Sequence, residues 1–307
     1  MAIKPLIELY KNITKENRNI NIVDIGAANF DTTENNYNEI IESYPFKIYG
    51  FEPNPDEFEK LKKNKDVRIT YFPYAIGDGG VHKLSICQIP GCSSILIPNL
   101  EEMSKYKSFS EWMLVVDEHI VQTKRLDEID DIKYIDLYEI DIQGCEYLAL
   151  YNSLEKLKDT LVIECEVEFV EQYIGQPRFS EIEILLRSQG FNFVKFMGYG
   201  TRPLEPITIN KDPFIYGNQW IWSDALFIRD INEWDSMPNE KLCVLAIILA
   251  ESYKLYDFSY KAISIIDKRN NTEHSNIFLK WLNENITDKL EIDSTDYSQL
   301  IFNKIQD

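Results

Sequence analysis

The sequence predicts a doubly wound α/β fold, a mostly parallel sheet with helices on both faces, followed by a helical C-terminal appendix. Three observations carry this. Val23-Asp24-Ile25-Gly26-Ala27-Ala28-Asn29 and Gly50-Phe51-Glu52-Pro53-Asn54 each close an apolar, β-branched run, as buried parallel strands do. Strand-like runs then alternate with helical stretches over roughly residues 20–230. Asp24, Glu52, Asp141 and Glu166 fall near the ends of those runs, where open α/β sheets bind ligands.

Residues 1–19 read as a helical segment ahead of the first strand, which Ile20, Ile22, Val23 and Ile25 make apolar on both faces. Residues 32–43 supply a crossover helix with Asp31 or Thr32 as its cap, and Ile48, Tyr49 and Phe51 form the second strand. Asn54 and Pro55 start a helix over 55–64, since proline lacks the N–H that a first turn leaves unused. A third strand is expected over 67–72, and Asp78-Gly79-Gly80 reads as a hairpin turn into a strand over 81–88. Residues 90–118 form a loop-rich excursion with two short helical stretches, and 121–126 lead back to the sheet. Buried strands follow at 134–142 and 161–168. Each precedes a helix, one starting at Glu146 and one over 179–189 closed by Gly190. Residues 191–196 and 224–228 are final strands that pair antiparallel at the sheet edge, with a proline-bearing aromatic stretch, 198–222, between them. Helices are expected over 238–255, 258–268 and 277–285. The chain thus divides into 1–19, a sheet domain over 20–234 and the appendix over 235–307.

The first strand–helix–strand unit describes a nucleoside pocket, because a carboxylate ending the second strand, here Glu52, holds the hydroxyls of a ribose. A dinucleotide fingerprint needs glycines at three places so that the helix start can approach a pyrophosphate. Counted from Gly26, the later places hold Ala28 and Asp31, and a carboxylate at a helix N-terminus repels phosphate. S-adenosylmethionine offers adenosine without phosphate, and a sulfonium and ammonium that Asp24 and Asp31 would face. NAD is the second choice.

At 307 residues the chain can bury a full core. Its 51 acidic residues against 32 basic ones give a net charge of −19, which argues against nucleic acid or an anionic membrane as partner. The longest apolar run, 242–250, is too short to span a bilayer. No basic stretch followed by an apolar core opens the sequence, so no export signal is expected and the expected location is cytoplasmic. Five cysteines without a CxxC pair fit a reducing compartment. Cys87, Cys145, Cys165 and Cys243 read as core, whereas Cys92, in a Pro-Gly-Cys-Ser-Ser loop, could be exposed. His82, His119 and His274 are scattered, and no Cys/His metal cluster is predicted.

One ordered set of motifs is specific. It comprises Val23-Asp24-Ile25-Gly26-Ala27, Phe51-Glu52-Pro53-Asn54, Ala75-Ile76-Gly77, Thr123-Lys124-Arg125-Leu126-Asp127-Glu128 and Ile140-Asp141-Ile142-Gln143-Gly144-Cys145-Glu146. Together these resemble the FkbM family of S-adenosylmethionine-dependent methyltransferases over about residues 20–230. Glu166-Val167-Glu168-Phe169, then 173–179 and 222–227, are similar to a subgroup of it. The resemblance implies a Rossmann-like seven-stranded methyltransferase sheet and methyl transfer to oxygen, often a hydroxyl of a sugar or natural product. Two positions depart: Phe30 stands where the family usually has glycine, and Glu139 where it commonly has lysine.

On this resemblance Asp24, Gly26 and Ala27 face the methionine part of the cofactor, small side chains leaving room for the backbone to approach. Glu52 takes the ribose with Pro53 and Asn54 beside it, Asn54 serving equally well as a helix cap. Ala75 and Ile76 line the adenine, and Asp141 and Gln143 complete the cofactor-binding set. Asp141 is expected to end a buried strand, where an unpartnered carboxylate is costly, so its partner is the cofactor, a metal or a substrate hydroxyl. Glu164 and Glu166 point to one face, as a functional pair or as charges at a sheet edge. An alcohol acceptor needs a base within hydrogen-bond reach; no motif position is histidine, which leaves Asp141 or Glu166 as the catalytic group. No metal ligand set is assigned, although a divalent metal held by Asp141 could lower the hydroxyl pKa instead. Glu146, Arg202 and Trp220 are the expected acceptor contacts, the acceptor being a small molecule or a glycan precursor. The C-terminal helices could pair two copies into a homodimer. Competing expectations are a nicotinamide-dependent sugar-modifying enzyme, disfavoured by Ala28 and Asp31, and a cofactor-binding scaffold without catalysis, hinted at by Phe30 and Glu139.

Overall fold

A computed structural model describes residues 2–15, 17–26, 35–208, 210–212, 217–286 and 290–291. Its first strands are β1 (Ile20–Ile25), β2 (Phe46–Phe51) and β3 (Ile69–Phe72). β4 (Ala75–Ile76), β5 (Val81–Cys87) and β6 (Val115–Lys124) follow, then β7 (Leu137–Ile140), β8 (Val162–Glu168), β9 (Phe191–Thr201) and β10 (Trp220–Arg229). Seven make the main sheet, in the order β3-β2-β1-β7-β8-β10-β9, while β4, β6 and β5 make a small second sheet. β10 runs antiparallel to both its neighbours; every other pairing in the main sheet is parallel. Strand order reverses at β1, which leaves a crevice at the carboxyl ends of β1 and β7.

The helices are α1 (Lys4–Thr14), α2 (Asn38–Ser43), α3 (Pro55–Leu61), α4 (Leu100–Met103), α5 (Phe109–Trp112) and α6 (Glu146–Tyr151). α7 (Leu154–Leu157), α8 (Phe179–Ser188), α9 (Asn239–Ile247), α10 (Tyr256–Asn270) and α11 (His274–Asn285) complete the set. Strand alternation divides the core between the two sheet faces. On one face Ile20, Ile22, Leu137, Val162 and Leu226 pack with α1 and with α9 to α11. On the other, Val23, Ile25, Tyr138, Ile163 and Cys165 pack with Ala149 and Leu150 of α6 and Ile182 and Leu186 of α8. The apolar run 242–250 is buried on every side, so α9 and the π-helical turn after it (Ile248–Ser252) form the middle of the helical layer. Among the described residues no helix is long and apolar enough to cross a membrane.

Several expectations change. The turn at Asp78-Gly79-Gly80 does not join a hairpin: β6 lies between β4 and β5, parallel to one and antiparallel to the other. The two-residue β4 has too short a ladder to pair with β5 across the turn, and Thr123 of β6 fills the turn instead, its Oγ1 accepting from Gly79 N (3.1 Å). Residues 115–118 are therefore strand and not part of the excursion. Val67 is exposed, and the third strand starts only at Ile69. β8 is flanked by β7 and β10, so Glu164 and Glu166 are not edge charges. Cys92 is buried in a cluster with Cys87, Met103 and Tyr173 beneath the small sheet, because the short 3-10 turn Pro90–Cys92 folds it inward. The crossover helix is seen from Asn38; Ala27, Ala28, Phe30, Asp31 and Thr32 lie outside the described residues.

Candidate active site

The crevice at the β1–β7 switch opens into a cavity of about 280 Å³. Backbone hydrogen bonds tie the strand ends below it: Gly26 N to Phe51 O (3.2 Å), Asp141 N to Ile25 O (3.0 Å) and Glu52 N to Phe72 O (3.1 Å). Gly26 leaves β1 at φ +99°, and a Cβ there would stand 2.0 Å from the Asp141 carbonyl oxygen. Only glycine permits that approach. Of the sequence-predicted cofactor residues, Gly26, Glu52, Pro53, Asn54, Ala75, Ile76, Asp141 and Gln143 all line this cavity. Asp24 lies beneath it, buried, and Ala27 is outside the described residues. The far wall, Leu84 and Ile86 of β5 with Ser93, Ser94 and Ile95, is unforeseen from sequence. Its signal is the alternation in 81–87, which puts Leu84 and Ile86 on one side, followed by the Pro90-Gly91 turn.

The lining holds three carboxylates, Glu52, Glu57 and Asp141, and no lysine or arginine among the described residues; residues 27–34 contain none either. Glu52 is buried at the end of β2, its Oε1 accepting from Asn54 N (2.6 Å). Burial pushes its carboxyl up to about 7, against the opposing pull of that N–H. Asn54 Oδ1 accepts from Asp56 N (3.0 Å), so Asn54 does cap α3 while lining the cavity.

β7 ends at Ile140, and Asp141 is consequently exposed at the cavity rather than buried as expected. The turn after it holds Gln143 at φ +56° and Gly144 at φ +94°. Glu146, buried at the start of α6, clamps this turn: its Oε1 accepts from Ile142 N (3.0 Å) and Gly144 N (3.1 Å). Gln143 Nε2 donates to both Asp141 Oδ1 and Glu166 Oε2, each at 2.7 Å. Ser94 donates to the Gln143 carbonyl (2.7 Å), and the Tyr173 hydroxyl lies 3.3 Å from Gln143 Oε1. The structure thus joins Asp141 and Glu166 through one fixed amide. Burial, then the neighbouring carboxylates, hold Glu166 well above the usual carboxylate range, and burial raises Glu146 to about 8. One oxygen each from Asp141, Glu146 and Glu166 lies within 4.8 Å of the others, a set that could hold a metal ion.

A second acidic layer sits deeper. Asp24, Glu139 and Glu164 stand side by side on β1, β7 and β8. Tyr37 donates to Asp24, and Tyr253 (2.7 Å) and Asn36 (2.6 Å) donate to Glu164. Asp24 and Glu139 interact directly, and burial raises the carboxyls of both.

Arg202 and Trp220 do not line the cavity. Arg202 is 8% exposed, its guanidinium 4.6 Å from the Trp112 ring centre and 5.5 Å from those of Phe109 and Trp222. Trp220 packs on Phe169 and Phe196 and stacks with Tyr199 at 4.7 Å. Phe214 and Tyr216 of the same stretch lie outside the described residues.

Residues 24–193 match the model of the methyltransferase FkbM domain. No curated protein matches the chain. Among solved structures it is similar to magnesium protoporphyrin IX methyltransferase (ChlM) from Synechocystis PCC 6803 with bound SAM. That likeness has 8% identity, 74% of this chain and 78% of that chain covered, and a TM-score of 0.35. It is also similar to M. jannaschii TYW2 in complex with AdoMet, at 14% identity over 74% and 75% of the two chains, with a TM-score of 0.30.

Proposed function

The chain belongs to the FkbM family of S-adenosylmethionine-dependent methyltransferases, and from that premise we propose that it methylates a hydroxyl of a neutral acceptor, a sugar, glycan precursor or polyhydroxylated natural product. The observation that carries this reading is the charge of the cavity: carboxylates in its lining and, among the described residues, no basic side chain. A pyrophosphate would meet only like charge there, whereas a nucleoside with a cationic tail meets attraction. The same field disfavours an anionic acceptor, which would approach Glu52, Glu57 and Asp141 against repulsion.

The residues present fit the cofactor. Glu52 has Oε2 free to accept from ribose hydroxyls while Asn54 N holds Oε1. Phe51, Ile76, Leu84 and Ile86 give a flat base apolar surroundings. Gly26 keeps the β1 exit open for close backbone approach. Once bound, S-adenosylmethionine supplies an electrophilic methyl group on a sulfonium. Asp141, exposed at the cavity, accepts the acceptor's hydroxyl proton at Oδ2, because Gln143 occupies Oδ1. Glu166, buried behind it, accepts from the same Gln143 amide at 2.7 Å and through it fixes the Asp141 rotamer.

The test is product analysis. Incubated with S-adenosylmethionine and neutral or charged acceptors, the protein is expected to yield methyl ethers, identified by NMR, from neutral polyols and glycans. Methylation at nitrogen or carbon, or of phosphorylated acceptors alone, would contradict the proposal.

A further inference from the structure

Alternate residues of a strand share a side, so β8 presents Glu164, Glu166 and Glu168 to one face of the sheet. Beside Glu166 stand Asp141 and Glu146, with one oxygen of each residue within 4.8 Å of the other two. A single ion with oxygen ligands at about 2.0–2.6 Å reaches all three across that span. Two of these acids contain oxygens that the protein leaves unserved. Glu146 is 1% exposed, and its Oε2 has no hydrogen-bond partner although Oε1 takes two N–H groups. Glu168 is fully buried, and neither of its oxygens makes a hydrogen bond, the nearby Gln176 amide only easing its charge. The charges that act most strongly on Glu166 and Glu168 are other carboxylates, Asp141 and Glu146 among them. Among the described residues no lysine, arginine or histidine is in an ion pair with any of the four. Proteins rarely bury this many carboxylates without a compensating charge.

We infer that Asp141, Glu146 and Glu166 ligate one divalent cation, with Glu168 adding negative charge behind them. The donors are all oxygen and include no histidine, which selects the hard class, Mg²⁺, Mn²⁺ or Ca²⁺, over zinc. The consequence for chemistry rests on the function proposed above: with Asp141 engaged as a ligand, the cation would bind the acceptor hydroxyl and lower its pKa in place of a free Asp141 carboxylate. The site itself requires only the carboxylates.

Mn²⁺ titrated into the metal-free full-length protein, without cofactor, tests this by electron paramagnetic resonance and thermal denaturation. Loss of the free-ion signal should saturate at one site per chain, with a raised Tm and competition by Mg²⁺. Glu166→Gln should weaken Mn²⁺ at least tenfold without lowering the metal-free Tm, since it removes charge from a like-charge cluster. Asp141→Asn, on an exposed side chain, should give the same weakening without touching the core. S-adenosylhomocysteine is titrated in parallel by calorimetry. Absence of saturable Mn²⁺ binding while S-adenosylhomocysteine binds overturns the cation site and leaves the methyl-donor reading standing. Saturable Mn²⁺ binding with no S-adenosylhomocysteine response upholds the cation site and removes the methyl-donor reading. Mn²⁺ affinity unchanged in both variants overturns the assignment to these residues.

Discussion

Asp141→Asn is expected to lower turnover by about 10²–10⁴-fold, the usual contribution of a positioned general base, while S-adenosylhomocysteine affinity changes by no more than a few-fold. Asparagine keeps the shape of the side chain, and its carbonyl can still accept from Gln143 Nε2 as Asp141 Oδ1 does at 2.7 Å. What it cannot do is take a proton. The exposed position of Asp141 keeps the substitution from leaving an uncompensated group in the core. Initial rates at saturating acceptor, set beside calorimetric Kd values, separate the two effects. Turnover close to wild type would show that another group accepts the proton. A fall in cofactor affinity as large as the fall in rate would make Asp141 a cofactor ligand only.

The second large effect belongs to Glu52. Removing a buried carboxylate that accepts hydrogen bonds from the ligand costs about 1.5–3 kcal/mol, so Glu52→Ala should weaken S-adenosylhomocysteine by about 10- to 100-fold. The pH dependence adds a signature that a merely structural role would not have. Burial raises the Glu52 carboxyl to about 7 in the free protein, and on the proposed function ribose hydroxyls would donate to its charged form. Affinity is therefore full above that pKa and is lost as the pH falls through it. Wild-type Kd should rise from about pH 8 to about pH 6, and in Glu52→Gln that slope should vanish. A slope that persists in the variant assigns the proton to another group.

What could be read in the sequence follows physical lines. Strands of a parallel sheet are covered on both faces, so their runs are predominantly apolar and stand out, as at Ile20–Ile25. Their ends carry the ligand-facing residues, which is why Gly26, Glu52, Ala75 and Asp141 come together from distant segments in one cavity. Pairing partners leave no such local trace. The placing of β6 between β4 and β5 depends on a strand that starts only at Val115, far along the chain from the turn, and Thr123 is the residue that makes it fit. The alternation of Glu164 and Glu166 is visible in sequence, but their depth follows from β8 being enclosed by β10, a strand from much later in the chain. Arg202 shows a further limit: beside prolines and aromatics it reads as an acceptor contact, yet its guanidinium lies among three rings. A planar cation satisfies either environment equally well.

On the function proposed here the cavity at the β1–β7 switch takes a cationic or neutral nucleoside without phosphate, because its lining is acidic and holds no lysine, arginine or histidine among the described residues. Calorimetric titration of the wild-type protein with S-adenosylhomocysteine and, separately, with NAD⁺ tests it most directly. Saturable, equimolar binding of S-adenosylhomocysteine at about pH 8, with no heat from NAD⁺ and no displacement by it, is the predicted result. Tight NAD⁺ binding with no response to S-adenosylhomocysteine would contradict the account.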